Sequence, residues 1–218
     1  MNKQKKFAVV LAGCGVYDGA EIHEATLALY AIMKNGAVYE IFAPDIPQHH
    51  VINHITGKEM NEKRNVLVES ARIARGNIKP LTEFRADNFD VLLFPGGFGV
   101  AKNLCNFAFK GAACEINKDI EAAIRQMINR KKPVGAMCIA PVMLARLFKN
   151  IVLTIGSDPG TSENVEKMGA IHQKTSHAEV TVDKNFKVAS TPCYMLDASI
   201  TDIAAGADNI VKALLDLI

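Results

Sequence analysis

Cys138 is the residue whose position in this 218-residue chain points most directly to chemistry. It lies in the segment Lys132-Pro133-Val134-Gly135-Ala136-Met137-Cys138-Ile139-Ala140-Pro141. A short apolar run precedes it, and residues 139–148 carry apolar side chains at helical spacing. This is the pattern of a nucleophile elbow, with cysteine in the serine position. Such a cysteine attacks a carbonyl or amide carbon; the alternative is a cysteine buried in the core.

The elbow also predicts the reactivity of the thiol. The following helix would present its positive N-terminal end to the sulfur and favour the thiolate. We therefore expect Cys138 to ionise near or below neutral pH and to react faster than the remaining cysteines. Those are Cys14, Cys105, Cys114 and Cys193.

A glycine-rich loop supplies candidate oxyanion donors. The apolar run Val91–Phe94 predicts a strand, and Pro95-Gly96-Gly97-Phe98-Gly99 follows it. Glycines just past a strand let the backbone turn and present N–H groups to a ligand at the carboxyl edge of the sheet. The N–H groups of Gly96, Gly97 and Ile139 are thus predicted to hold a developing oxyanion. The alternative is that the glycines only make a tight connection.

Two glutamates near the N-terminus are candidate acids or bases. Residues 7–12 predict the first strand, a glycine-containing loop follows at 13–19, and a helix opens at Ala20. Glu21 and Glu24 are three residues apart and share one face of its first turn. That turn lies at the same sheet edge as Cys138, so one glutamate is predicted to reach the sulfur. Alternatively, both acids only complement the helix dipole.

Taken together, these motifs resemble the PfpI-like branch of the class I glutamine amidotransferase-like superfamily, and within it the ElbB subgroup of isoprenoid-biosynthesis glyoxalases. The resemblance runs nearly end to end. It is carried by Ala12-Gly13-Cys14-Gly15-Val16-Tyr17-Asp18-Gly19, Glu21-Ile22-His23-Glu24, Val51-Ile52-Asn53-His54-Ile55-Thr56-Gly57, Arg64-Asn65-Val66-Leu67, Pro95-Gly96-Gly97-Phe98-Gly99 and Met137-Cys138-Ile139-Ala140-Pro141.

The resemblance implies a site and a reaction. Cys138 matches the nucleophile and Glu24 the glutamate beside it, with Glu21 the less favoured occupant of that role. A cofactor-free enzyme that converts glyoxal to glycolate is implied, with possible deglycase activity, as is a homodimer. Two other hypotheses stay open: a non-catalytic metabolite-binding or redox-sensing protein associated with isoprenoid biosynthesis, and an amidotransferase-like hydrolase.

Two departures from the superfamily pattern argue against amide hydrolysis. Ile139 stands where many PfpI-like proteins have histidine directly after the cysteine. The pair His177-Ala178-Glu179 precedes the last predicted strands, whereas a glutaminase triad would need a histidine near Thr191-Pro192-Cys193. Without a histidine base at that place, glutaminase or protease activity is expected to be weak. Whether His172 or His177 assists is left open.

Composition fits one α/β domain over residues 1–218. The chain is 49% hydrophobic with a net charge of +2, which gives no case for nucleic acid binding. Five cysteines without a C-x-x-C pair indicate a reducing compartment. Leu11-Ala12-Gly13-Cys14 mimics a lipoprotein processing box, but the apolar run before it is too short for a signal peptide. A cytoplasmic protein with no membrane or metal partner is expected.

The remaining segments alternate strands and helices and predict a flavodoxin-like sandwich, a mostly parallel sheet with helices on both faces. Val38–Ala43 is the second predicted strand, and 46–63 is a long segment without periodicity. Further predicted elements are helices at 65–75, 116–130, 162–168 and 198–217, a strand at 152–155, and a hairpin of 180–182 and 187–189.

Overall fold

A seven-stranded sheet forms the centre of the computed structural model, which describes residues 4–218. The strands are β1 (Lys6–Val10), β2 (Val38–Ala43), β3 (Lys79–Pro80), β4 (Val91–Phe94), β5 (Val134–Met137), β6 (Val152–Leu153), β7 (Ile171–His172), β8 (Thr181–Asp183) and β9 (Val188–Thr191). The main sheet has the order β3-β2-β1-β4-β5-β9-β8, and β6 pairs with β7 in a separate parallel ribbon. Every pair in the main sheet is parallel except β8 with β9.

Helices cover both faces of this sheet. They are α1 (Ile22–Lys34), α2 (Val66–Ile73), α3 (Phe107–Lys110), α4 (Lys118–Asn129), α5 (Pro141–Leu147), α6 (Pro159–Lys167) and α7 (Ile200–Asp216), with a π-helical turn at Val100–Leu104. Alternate strand residues face opposite sides. Phe7 and Val9 of β1 therefore pack in a core cluster with α1 and α7, while Ala8 and Val10 pack in a second cluster with α4 and α5. The predicted α/β sandwich is confirmed.

Several boundaries differ from the sequence prediction for local reasons. β1 ends at Val10, because the next residues already belong to the loop that leads to α1. The predicted strand at 152–155 is shorter and lies outside the main sheet. The helix predicted at 162–168 begins at Pro159, because the Asp158 side chain accepts a hydrogen bond from Thr161 N and caps it. The predicted hairpin is confirmed as β8 and β9.

The long segment 46–63 holds the loop before α1 in place. Its chain is fixed by isolated bridges that pair Pro47 with Asn65 and Ile52 with Glu59. Ile52 N donates to Asp18 Oδ2 at 2.6 Å, and Asn103 Nδ2 donates to Asp18 O at 3.0 Å. The loop at 13–19 is therefore clamped between this segment and the π-helical turn. Among residues 4–218, no helix is long and apolar enough to cross a membrane.

Candidate active site

Cys138 occupies a strained turn between β5 and α5. Its φ is +59°, in the left-handed region that a residue with a side chain rarely adopts. The turn is fixed by backbone hydrogen bonds from Cys138 N to Thr191 O on β9 and from Ala140 N to Met137 O, both at 2.9 Å. The predicted elbow geometry is confirmed. The side chain is 7% exposed, so the sulfur is nearly closed off from bulk water.

The loop after β4 approaches this turn as closely as a backbone can. A Cβ atom at Gly96 would lie 2.3 Å from Cys138 Cβ, 2.6 Å from Glu24 Oε2 and 2.9 Å from Cys138 Sγ. These separations are far below van der Waals contact. Gly97 has a φ of +100°, which a residue with a side chain would adopt only with strain. Gly96 is therefore required by close packing at the sulfur, and Gly97 by its backbone conformation and by the backbone of Gly19 and Glu21, which would lie 2.4 Å from an added Cβ.

Glu24 is buried beside the thiol. It lies in the first turn of α1 and has no exposed surface. Its Oε2 accepts a hydrogen bond from Gly96 N at 2.9 Å, and its Oε1 accepts one from Tyr194 N at 3.2 Å. The carboxyl group is also in hydrogen-bonding contact with the Cys138 thiol. The predicted proximity of Glu24 to the sulfur is confirmed.

Glu21 has a different place. Its side chain caps α1, where Oε2 accepts a hydrogen bond from Glu24 N at 2.7 Å. Its backbone N donates to Gly96 O at 2.9 Å, so the residue also anchors the glycine loop. Glu21 thus positions Glu24 and the loop, and its charge acts on Glu24 from close range.

The environment tunes Glu24 for proton transfer. Burial raises the pKa of Glu24 from 4.5 to about 7, with a further contribution from the negative charge of Glu21. Hydrogen bonds from Tyr194 N, the Cys138 thiol and Gly96 N act in the opposite direction and keep the pKa from rising further. A carboxyl group that titrates near neutrality can both accept and return a proton at physiological pH.

The same environment keeps the sulfur protonated, contrary to the sequence expectation. Burial, followed by the charge of Glu24, raises the pKa of Cys138 well above its usual value. Backbone N–H groups of Gly97 and Ile139 donate to the sulfur and lower that pKa, but they do not offset burial. The prediction that the Cys138 thiol ionises near or below neutral pH is therefore wrong for the protein without substrate. The arrangement is a neutral thiol beside a base that can take its proton.

The three predicted oxyanion donors have different hydrogen-bond partners. Gly96 N–H is wrong as a donor to substrate, because it is already bound to Glu24 Oε2. The N–H groups of Gly97 and Ile139 face the sulfur, so an oxygen on a carbon bonded to that sulfur would lie next to them.

Comparison with known proteins shows the family of this chain. The model of the DJ-1/PfpI family matches residues 15–199. The chain belongs to the DJ-1/PfpI family. Among relatives, the mitochondrial ES1 protein homolog of Rattus norvegicus is 45% identical over 97% of this chain and 84% of its own length. The human mitochondrial glutamine amidotransferase-like class 1 domain-containing protein 3 is 43% identical over 97% of this chain and 83% of its own.

Solved structures share the fold of this chain. An isoprenoid biosynthesis protein with an amidotransferase-like domain from Ehrlichia chaffeensis superposes with a TM-score of 0.92 at 34% identity, covering 98% of this chain and 99% of that one. Glyoxalase III of Candida albicans has a TM-score of 0.63 at 13% identity over 98% of this chain and 97% of its own, a likeness of fold alone. The expected cytoplasmic location is wrong, because three curated relatives that are 35–45% identical to this chain carry mitochondrial names.

Neither of the two histidines whose role the sequence left open, His172 and His177, lies at this site. His177 Nε2 is 2.9 Å from Asp197 O, and His177 lines a separate cleft beside α7. His172 Nε2 accepts a hydrogen bond from Ile155 N at 3.4 Å in the β6–β7 ribbon. Tyr194, which the sequence analysis missed, instead contacts Glu24 through its backbone and His23 Nδ1 through its hydroxyl at 2.9 Å. Its position just after β9, at the carboxyl edge of the sheet, was the available signal.

Proposed function

We propose that this DJ-1/PfpI protein is a cofactor-free, cysteine-dependent glyoxalase of the ElbB type, which converts glyoxal to glycolate. The observation that carries the proposal is the buried pair of Cys138 thiol and Glu24 carboxyl, with a Glu24 pKa of about 7. Two structural neighbours, a glyoxalase III and an isoprenoid biosynthesis protein, agree with this class.

The first step is addition of the thiol to one aldehyde. The sulfur bonds to the carbonyl carbon, and Glu24 transfers the thiol proton to the carbonyl oxygen, which gives a hemithioacetal. This relay suits a thiol whose pKa is raised, because the proton leaves only as the new bond forms. The N–H groups of Gly97 and Ile139 stabilise negative charge on oxygen during the step.

The second stage moves hydrogen between the two carbons. The Glu24 carboxylate removes the proton from the hemithioacetal carbon, which forms an enediol, and returns it to the neighbouring carbon. The hydroxyl proton on the first carbon passes to the second oxygen, and a hydroxyacetyl thioester results. Water then hydrolyses the thioester to glycolate and the free thiol. One carbon is oxidised and its neighbour reduced, so the balance needs no external oxidant.

The test is turnover of glyoxal by the purified protein, with glycolate measured as product. Wild type is expected to consume glyoxal and release one glycolate for each. Cys138→Ala is expected to be inactive, and Cys105→Ala, which removes a buried thiol outside the site, to retain turnover. Equal rates for wild type and Cys138→Ala, or no turnover by either, would contradict the proposal and favour a non-catalytic metabolite-binding role.

A further inference from the structure

Two buried cysteines outside the elbow lie in contact with each other. Cys105 follows the π-helical turn, and Cys114 follows the surface loop that contains α3. Cys105 is 4% exposed, and Cys114 has no exposed surface. Their thiols are in hydrogen-bonding contact with each other. The reaction proposed at Cys138 uses neither thiol, so this contact calls for a chemistry of its own.

The backbone holds the two thiols on one side of a short antiparallel pairing. Cys105 is bridged to Ile116, and Asn117 N donates to Leu104 O at 2.9 Å. Cys114 lies two residues before Ile116 in extended backbone. Alternate residues of an extended chain face the same side, so the Cys114 side chain projects toward that of Cys105. The contact between the sulfurs is therefore set by the fold.

The two thiols differ in acidity. The contact with Cys105, together with the positive charge of Arg146, lowers the pKa of Cys114. The contact with Cys114, followed by burial, raises the pKa of Cys105 well above its usual value. Arg146 is held in place because its Nε donates to Cys114 O at 2.6 Å. Cys114 is thus the nucleophile of the pair, since the thiolate is the reactive form, and Cys105 keeps its proton.

A cleft reaches Cys114 from the surface. It has a volume of about 320 Å³, and Cys114, Arg125 and Arg146 are among the residues that line it. One water molecule occupies about 30 Å³ in the liquid, so a small peroxide fits in this cleft. Residues 106–113, which connect the two cysteines, are all exposed or half-buried. Only a surface loop therefore has to adjust for the sulfurs to react.

We propose that Cys105 and Cys114 form a redox-active dithiol, which a peroxide converts to a disulfide. The Cys114 thiolate attacks one peroxide oxygen, the O–O bond breaks, and the second oxygen leaves as hydroxide, so that Cys114 becomes a sulfenic acid. The Cys105 sulfur then attacks the Cys114 sulfur, the S–O bond breaks, and the hydroxyl group leaves as water with the Cys105 proton. Two electrons pass from the sulfur pair to the peroxide, and a dithiol reductant restores both thiols by exchange.

The disulfide would close residues 105–114 into a ring. α3 lies inside this ring, and its Phe107 and Ala108 line the cavity over Cys138. A cross-link reduces the number of conformations open to the chain between its ends. Oxidation of the pair thus restrains one wall of the candidate active site, whatever reaction takes place there. This redox chemistry does not depend on the proposed function.

The test is peptide mapping of the full-length protein by mass spectrometry after treatment with hydrogen peroxide. Trypsin cleaves after Lys110, so the disulfide is expected to join the peptides 103–110 and 111–118, which dithiothreitol separates. Each of these peptides contains one cysteine. Wild type without this linked pair, or with a link between Cys138 and Cys193 in its place, would overturn the inference.

Three variants assign the roles of the two thiols. Cys105→Ala is expected to stop at the sulfenic acid of Cys114, which dimedone traps, and Cys114→Ala to give no dimedone adduct on Cys105. Cys14→Ala removes the most exposed cysteine and is the control, which should form the disulfide as fast as wild type. A dimedone adduct on Cys105 in Cys114→Ala, or slower oxidation of the control, would contradict the assignment.

Amide hydrogen exchange tests the restraint on the loop. Exchange of residues 107–113 in wild type is expected to become slower after peroxide treatment and to recover after dithiothreitol, because the ring limits local opening. Cys105→Ala cannot form the ring and should show no such change. Equal exchange in the oxidised and reduced wild type would contradict the restraint.

Discussion

Gly96→Ala should damage the site by forcing the glycine loop away from both Cys138 and Glu24. The added Cβ would lie 2.3 Å from Cys138 Cβ and 2.6 Å from Glu24 Oε2, against an optimal carbon–carbon contact of about 3.5–4.0 Å. The loop and the elbow must therefore move apart by about 1 Å or more. Both of the groups displaced are the ones that carry the proposed chemistry.

The expected size of the effect follows from that displacement. Misplacement of reacting groups by about 1 Å costs about 100-fold in rate. Overpacking a buried site costs about 1–3 kcal/mol of unfolding free energy. For a chain of this size that corresponds to a fall in Tm of roughly 2–12 °C. Turnover and Tm should decrease together, because the same contact limits both.

Gly160→Ala is the matched control for this measurement. Gly160 lies in the first turn of α6, and a methyl group there would approach Asp158 Oδ2 only to 3.7 Å, an ordinary contact. Alanine favours a helix over glycine, so its Tm should be equal to or above that of wild type. Glyoxal turnover and thermal unfolding of the three proteins check the prediction. Wild-type turnover and Tm in Gly96→Ala would refute the close packing inferred at the sulfur.

Further predictions concern Glu24 and assembly. Turnover should rise with pH through about 7, as Glu24 becomes a base, and a profile flat from pH 5.5 to 8 would contradict this. The pKa of Glu24 is raised from 4.5 to about 7 in the folded state. Its contribution to the free energy of unfolding is therefore fully present below pH 4.5, and about 3 kcal/mol is lost as the pH rises through 7. Glu24→Gln should remove that loss, so the Tm of the variant minus that of wild type should be larger at pH 8 than at pH 5. The same variant should lower turnover about 100-fold or more. It should also speed alkylation of Cys138 at pH 8, since the charge that raises the thiol pKa is gone, and an unchanged rate would contradict the coupling. Finally, we predict a homodimer, for which sedimentation showing only monomer at micromolar concentration would be the contrary result.

The sequence was informative where local patterns determine structure. Cys138 could be placed at an elbow because an apolar strand and an apolar helix flank it, and Glu24 because helical spacing puts it at the same sheet edge as the elbow. The role of Gly96 N–H could not be predicted. That hydrogen bond depends on a carboxylate 72 residues away folding over the loop.

The protonation state was mispredicted for a related reason. Helix position is visible in sequence, but the burial of Cys138 and the charge of Glu24 beside it exist only in the folded chain, and they outweigh the helix N-terminus. Tyr194 was missed because it lies in a short turn without periodicity. The residues 152–155 were misplaced because an apolar run shows that a strand forms but not which strand it pairs with.

The most direct test of the account is to find the covalent intermediate on Cys138. Wild type mixed with ¹³C-labelled glyoxal and quenched in acid during turnover should carry a two-carbon hydroxyacetyl thioester on the peptide that contains Cys138, identified by mass spectrometry. In Cys138→Ala, the adduct signal at each of the other cysteines should not exceed that of protein that was never mixed with glyoxal. Turnover by wild type without an adduct on Cys138, or an equal adduct on Cys193 or Cys14, would contradict the claim that Cys138 is the nucleophile.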